Sequence, residues 1–147
     1  MDYKRAVLAA LITYGITLVI GLLAAFGLGI GFEDTQSGDI SLFTWLFGGA
    51  TSIVAVVLGS LWYFKKQGTV ANTNTGIHLG LVMIAVSFAL DILSFLPMLG
   101  DEETMRLLQS YYGSAFFWVI VGLVLLTTFA VAKYKENYEK KSKKSSK

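Results

Sequence analysis

The sequence contains no cysteine, a single histidine and a single proline. The missing cysteines exclude disulfide bonds, thiolate metal sites and cysteine nucleophiles. One histidine leaves no convergent set of groups for acid–base or metal chemistry. No phosphate-binding loop, dinucleotide fingerprint, metal-binding helix or nucleophile elbow is present. We therefore expect no enzymatic activity, no cofactor, no bound metal and no nucleic-acid partner.

Charge is also scarce, because only 15% of the 147 residues are charged while 54% are hydrophobic. Residues 6–32, 42–64, 77–100 and 113–132 contain one formal charge, that of Asp91. Each stretch meets or exceeds the roughly 20 residues that a helix needs to cross a bilayer. We expect an all-α integral membrane protein with one domain, residues 1–132. Short connections predict an up-and-down bundle in which consecutive helices are antiparallel neighbours.

The basic residues alternate with the acidic ones along the chain. Eleven of the twelve basic residues lie before the first stretch, after the second or after the fourth, whereas the other two connections are acidic. Because Lys and Arg favour cytoplasmic loops, we expect both termini inside and the acidic connections outside. This arrangement is typical of a multi-pass protein of the plasma (cytoplasmic or inner) membrane.

The basic tail of residues 133–147, from Lys133 to Lys147, carries seven lysines and two glutamates. We expect it to be cytoplasmic, to continue the last helix for a turn or two and then to fray. Lysine clusters next to a membrane are attracted to anionic lipids by about 1 kcal/mol per residue. The sequence also allows the tail to serve only as a topology anchor and solubilising end.

Asp91 is the main functional candidate, because an acid near the middle of a membrane helix costs about 2.5 to 3.5 kcal/mol. At about 100° per residue it shares a small and polar stripe with Gly80, Ser87 and Ser94. That stripe is expected to face the bundle. Asp91 should lie at nearly the same depth as Thr51 and Ser52, which are its predicted hydrogen-bond partners. Asp91 is then a neutral structural donor, a proton or cation site, or a docking point for a basic partner helix.

Small residues at helical spacing predict where helix backbones approach closely, either inside the bundle or between protomers. The predicted packing positions are Gly27, Gly31, Thr51, Ala55, Gly59, Gly76, Gly80, Ser87 and Ser94. Pro97 removes one backbone hydrogen bond and predicts a kink near residues 93–94.

The segment of residues 80–93, which includes Asp91, is followed by Pro97 and by the pair Tyr111 and Tyr112. This arrangement resembles a pattern in small four-helix prokaryotic membrane proteins classed as domains of unknown function. The resemblance covers about residues 76–118.

In those proteins a tryptophan often replaces Met83 and an asparagine often replaces Ser87. The resemblance implies that Asp91 matches an acid of the group's pattern. It implies no activity.

Two functions follow from this pattern. The leading one is a structural or accessory membrane component without catalysis, with the lipid bilayer and a membrane-protein partner or a second copy as its neighbours. The alternative is a small proton- or cation-coupled transporter or channel that uses Asp91. Water access to Asp91 separates the two, since a transporter needs a path from a surface to its site.

Overall fold

The computed structural model describes residues 1–29, 40–65, 71–98 and 101–145, and all regular structure within these ranges is helical. The helices are α1 Tyr3–Leu28, α2 Leu42–Phe64, α3 Thr73–Phe95, α4 Glu102–Gly113 and α5 Ala115–Ser145. A 3₁₀ turn, Leu96–Met98, follows α3. By length and composition α1, α2, α3 and α5 are able to cross a membrane. These four helices support the prediction of a helical-bundle membrane protein.

Short polar side chains begin four of the helices. Asp2, Ser41, Asn72 and Asp101 each accept a hydrogen bond from the backbone N–H three residues later. Such N-caps satisfy backbone donors that have no partner inside the helix. They explain why α1 and α3 begin earlier than hydropathy predicts, at residues 3 and 73 instead of 6 and 77.

The predicted ends of α1 and α3 lie too far along the chain. Gly29 closes α1 with a φ of 70°, and its N–H bonds to the carbonyls of Ala24 and Ala25. A left-handed residue at this position is a common helix end, and glycine adopts it without steric cost. Hydropathy therefore extends the predicted helix past its true end at Leu28.

Pro97 ends α3 instead of kinking it. The α-helix stops at Phe95, and Pro97 lies in the 3₁₀ turn that follows. Proline restricts the residue before it and lacks an N–H, so a helix usually stops just ahead of it. The predicted kink near residues 93–94 is therefore replaced by a helix end.

The fourth membrane helix is longer than predicted, because α5 continues through the basic tail to Ser145. Its 31 residues span about 46 Å at about 1.5 Å per residue, which exceeds the roughly 30 Å of a hydrocarbon core. The prediction of fraying after one or two turns was wrong. Glu136 and Lys140 form an ion pair one turn apart, the kind of contact that supports an exposed helix.

Contacts between side chains show which helix ends lie together. Arg5 donates from Nε to the Tyr63 carbonyl at 3.0 Å, which joins the start of α1 to the end of α2. Gly76, near the start of α3, lies against Ala132 of α5. Because of these contacts, one end of the bundle carries Lys4, Arg5, Lys65 and Lys133, and we call it the basic end. Helix α4 lies at the opposite end, which we call the acidic end.

The order of the helices around the bundle differs from the prediction. In the described residues α1 and α5 each pack mainly against α2 and α3. The consecutive helices α2 and α3 are therefore placed across the bundle from each other, although they were expected to be neighbours. Small residues decide this order, since Gly59 fits against α1 while Gly76 and Gly80 fit against α5.

Close packing is concentrated towards the basic end. A methyl group at Gly76 would lie 2.7 Å from Ala132 Cβ, and one at Gly80 would lie 2.5 Å from Thr128 Oγ1. At Gly59 it would meet the Thr13 hydroxyl and, at 3.3 Å, the Ala9 carbonyl oxygen. No larger residue fits these positions without displacing a neighbour. The bundle thus brings its helix backbones together at glycine, as small-residue spacing predicts.

Candidate functional site

Asp91 lies nearer the acidic end than the sequence predicts. The helix α3 runs from Thr73 to Phe95, so its midpoint is Ile84 and Asp91 is seven positions beyond it. At about 1.5 Å per residue this is roughly 10 Å from the centre of the helix, compared with the roughly 3 Å expected from hydropathy bounds. The side chain is half-buried.

Two tyrosines hold the carboxyl group of Asp91, one on each oxygen. The Tyr14 hydroxyl of α1 donates to Oδ1 at 3.0 Å, and the Tyr112 hydroxyl of α4 donates to Oδ2 at 3.2 Å. The acid therefore links three helices, α1, α3 and α4.

Thr51 and Ser52 are not the hydrogen-bond partners that the sequence predicts for Asp91. The Thr51 hydroxyl donates to the Phe47 carbonyl of its own helix at 2.8 Å. Both residues lie within two positions of the midpoint of α2, so the shift of Asp91 towards the acidic end separates their depths. The structure thus replaces Thr51 and Ser52 with Tyr14 and Tyr112. Ser52 still lines the same cavity as Asp91.

That cavity has a volume of about 170 Å³ and lies between the four long helices. Seven of its lining residues carry a polar group: Thr13, Tyr14, Thr17, Ser52, Ser87, Asp91 and Tyr111. The remaining wall is apolar and includes Val56, Ile84, Phe117 and Val124. A mostly apolar cavity with a few convergent polar groups is the usual form of a small-molecule site.

A second cavity reaches the same carboxyl group from the acidic end. It has a volume of about 280 Å³ and is lined by Ile40, Asp91, Phe95, Leu108 and Tyr111. Asp91 and Tyr111 line both cavities. These two side chains therefore stand between the interior of the bundle and a cleft beneath α4.

Aromatic rings surround this part of the bundle. The ring of Tyr112 stacks on Phe88 at 5.6 Å, and that of Tyr111 stacks on Trp45 at 5.1 Å. Phe117 packs edge-on against Tyr112 at 5.1 Å. Offset and edge-on contacts of this kind add about 0.5 to 1.5 kcal/mol per pair beyond burial. They fix α4, which is amphipathic and lies outside the four candidate membrane spans, onto the end of the bundle.

Both tyrosines of α4 keep their protons at neutral pH. Burial, followed by the nearby charges of Asp91 and Tyr14, raises the pKa of Tyr111 to about 12. Burial and the charge of Asp91 also raise the pKa of Tyr112 above the ordinary tyrosine value. Tyr112 is therefore available as a hydrogen-bond donor to Asp91.

The other predicted positions have mixed outcomes. Ala55, Gly59, Gly76 and Gly80 are buried at helix contacts, and Ser87 lines the cavity. Ser94 and Gly27 are exposed, and a methyl group at Gly27 would meet no atom within 4 Å. Gly31 lies outside the described residues. Gly27 therefore does not pack inside the bundle, whereas Ser94 hydrogen-bonds to Tyr14 of α1.

The tyrosines and α4 are what sequence reasoning missed. Tyr14 lies in an apolar stretch that gives it no special role, and Tyr112 is noted only as part of the resemblance. A signal for α4 was present, because Asp101 followed by Glu102 and Glu103 has the form of an N-cap with acids in the first turn. Nothing in the spacing indicates that Tyr112 bonds to Asp91.

A comparison with known protein families, with curated proteins and with solved structures finds no match for this chain. The resemblance to small four-helix prokaryotic proteins therefore stays a prediction.

Proposed function

We propose that this chain is a multi-pass protein of the plasma (inner) membrane, a four-helix bundle whose helices alternate in direction, with both termini on the cytoplasmic side. The support is the separation of charge between the two ends. Lys4, Arg5, Lys65 and Lys133 lie at one end, and the exposed acids Asp101 and Glu102 lie at the other. Basic residues favour the cytoplasmic face. The lysines of the helical tail would then lie near anionic lipids of the inner leaflet.

Single cysteines test this orientation, since the native chain has none. We expect Glu102→Cys to react with a membrane-impermeant thiol reagent added outside sealed cells. Thr73→Cys, also at an exposed position and the first residue of α3, is expected to react only after the membrane is opened. Labelling of Thr73→Cys in sealed cells would show that the orientation is opposite to the proposed one.

We further propose that the protein binds a proton or a small cation at Asp91, as a small transporter or channel without catalytic activity. The observation that carries this proposal is the cavity of about 170 Å³ beside the carboxyl group. A structural hydrogen bond needs no cavity next to it, because every gap forfeits dispersion contacts. An intramembrane acid adds a further cost. The cavity and the intramembrane acid each lower stability, so their occurrence at the same place favours a binding role.

The cleft beneath α4 supports the same proposal. A transporter needs a route from a surface to its site, and Asp91 lines the cleft as well as the inner cavity. The route leads from the acidic end, which is the outer end in the proposed orientation.

A structural or accessory role, the leading expectation from the sequence, is the second candidate. It is favoured by the two tyrosine hydrogen bonds, which engage both oxygens of Asp91 within one chain. An accessory protein packs against a membrane-protein partner or a second copy through its apolar outer faces and has no need of the cavity.

Ion flux into sealed lipid vesicles separates the two candidates. The native protein is expected to admit protons or alkali cations down an imposed gradient, and Asp91→Asn is expected to abolish the flux while the protein stays folded. Asp91→Leu also removes the hydrogen bonds, so it should loosen the bundle by about 1 kcal/mol. Thermal unfolding in detergent checks both variants. Absence of flux from the native protein, with recovery of a stable partner from membranes, would support the accessory role instead.

A further inference from the structure

The chemistry of the inner cavity narrows the class of molecule that it suits. Among the described residues that line it, Asp91 alone has an acidic or basic side chain, so an occupant that matches its ionised form carries one positive charge. An ionised carboxylate has about four acceptor positions, and the tyrosine hydroxyls take two of them. Acceptor positions therefore remain for a donor in the cavity. The side chains of Ser52 and Ser87 line the same space.

The size and the walls of the cavity favour an organic cation. A cavity of about 150 Å³ in another protein holds one benzene molecule, so about 170 Å³ suits a molecule of similar size. An alkali ion is best held by a shell of oxygen ligands, as hard cations are in general. Here most of the wall consists of apolar side chains such as Ile120, Val121 and Val124. Such a wall suits an apolar substituent.

We propose that this cavity binds a small primary ammonium compound with a compact apolar substituent. The ammonium group donates to Asp91, and the substituent extends into the cavity and packs against the apolar wall. This inference rests on the proposed function, because it uses the same carboxyl group and names the class of cation.

The structure also indicates how such a molecule enters. The cleft of about 280 Å³ beneath α4 shares Asp91 and Tyr111 with the cavity, so entry is from the acidic end. On the side towards the basic end, Thr13 and Met83 line the cavity and lie against Gly59 at a close helix contact, which leaves little space between the backbones there. Movement of Tyr111 and Tyr112 with α4 would open the cleft towards the cavity.

Benzylammonium is the probe, and its neutral analogue benzyl alcohol is the control. Binding to the purified full-length protein in detergent is measured by isothermal titration calorimetry. We expect saturable binding of benzylammonium, competition by n-butylammonium, and no saturable binding of benzyl alcohol. Asp91→Asn is expected to weaken binding by about 10-fold or more, because the charge-assisted hydrogen bonds are lost.

A pair of phenylalanine variants tests the cavity without altering Asp91. Val121→Phe fills the cavity and should abolish benzylammonium binding, since Val121 lines it. Val119→Phe makes the same change on the outer face, where the side chain is 57% exposed, and should leave binding unchanged. Thermal unfolding establishes that both variants are folded. Equal binding by the two would overturn the assignment to this cavity.

The outcomes distinguish this inference from the proposed function. Loss of proton or alkali flux in Asp91→Asn, without benzylammonium binding to the native protein, would overturn the inference and leave the proposed function standing. Binding that needs Asp91 and is blocked by Val121→Phe, without any ion flux, would support the inference and overturn the transport role. Equal binding of benzylammonium to Asp91→Asn, or of benzyl alcohol to the native protein, would overturn the inference.

Discussion

The two ends of the bundle are built from different residues. Towards the basic end, Ala6, Ala9 and Ala10 are almost completely buried, and glycines lie in contact with neighbouring helices. Towards the acidic end, the contacts are made by aromatic rings, and a polar-lined cavity lies beside Asp91. One end is closely packed, and the other holds the candidate site.

The difference follows from side-chain shape. Alanine and glycine allow helix backbones to approach, which maximises the dispersion contacts that hold membrane helices together. Aromatic rings keep helices farther apart and meet at preferred angles. We infer that the packed end supplies most of the stability, which leaves the other end free to carry a cavity and an acid.

The largest expected effect is at the packed end. Gly80→Leu should lower the free energy of unfolding by about 1 to 3 kcal/mol, as overpacking does in other cores. The cause is the contact with Thr128 Oγ1 and Leu125 Cδ2, which a side chain at residue 80 would meet at 2.5 and 2.9 Å. Unfolding in detergent measures the change.

Gly122→Leu is the matched control, since a methyl group there meets no atom within 4 Å. Leu81→Ala, at a side chain that is 51% exposed, should also be mild. An equal loss of stability in Gly80→Leu and Gly122→Leu would show that α3 does not pack on α5 through Gly80.

A smaller effect is expected where α1 meets the end of α2. Arg5 donates to the carbonyls of Tyr63 and Trp62 at 3.0 and 2.6 Å, and its guanidinium carbon lies 4.3 Å from the centre of the Trp62 ring. Arg5→Met removes these charged hydrogen bonds and should cost about 1 kcal/mol in detergent, because the group is only partly buried. Lys4→Met, a neighbouring exposed cation, is the control. A similar loss of stability in both variants would show that the effect comes from removing a positive charge and not from losing the hydrogen bonds of Arg5.

The smallest expected effect is at the acidic end and is local. Tyr112→Phe removes the hydrogen bond to Asp91 but keeps the ring on Phe88, so we expect a loss of up to about 1 kcal/mol. Amide exchange should accelerate in α4 and stay unchanged at the basic end. Tyr111→Phe is the matched control, because its ring stacks on Trp45 but its hydroxyl is not bonded to Asp91. Faster exchange throughout the bundle would contradict the separation of the two ends.

Much of the architecture could be predicted from the sequence, for reasons visible in α2. Its predicted range of 42–64 is the observed one, because a polar cap at Ser41 and a lysine at residue 65 flank the apolar run. In α1 and α3 the apolar run and the helix do not coincide, since Gly29 and Pro97 end the helices before hydropathy falls. Hydropathy measures the environment of a segment, and backbone conformation sets its ends.

The candidate site was predicted only in part. Asp91 stands out because an acid in an apolar helix is costly wherever it lies. Its partners could not be identified from the sequence. A tyrosine hydroxyl lies far from its own backbone, so the helix boundaries do not indicate the depth at which it forms a hydrogen bond. The expected partners Thr51 and Ser52 were wrong for that reason.

The sequence by itself determined the number of long apolar helices and their approximate positions, the contrast between basic and acidic connections, and the presence of one acid among them. These are properties of single segments, and composition along the chain is enough to establish them. Only the tertiary structure decided that α2 and α3 lie across the bundle from each other, that α4 covers the acidic end, and that Tyr14 and Tyr112 bond to Asp91. These features depend on which surfaces fit together, and that fit joins residues far apart in the chain, such as Tyr14 and Asp91, which are 77 positions apart.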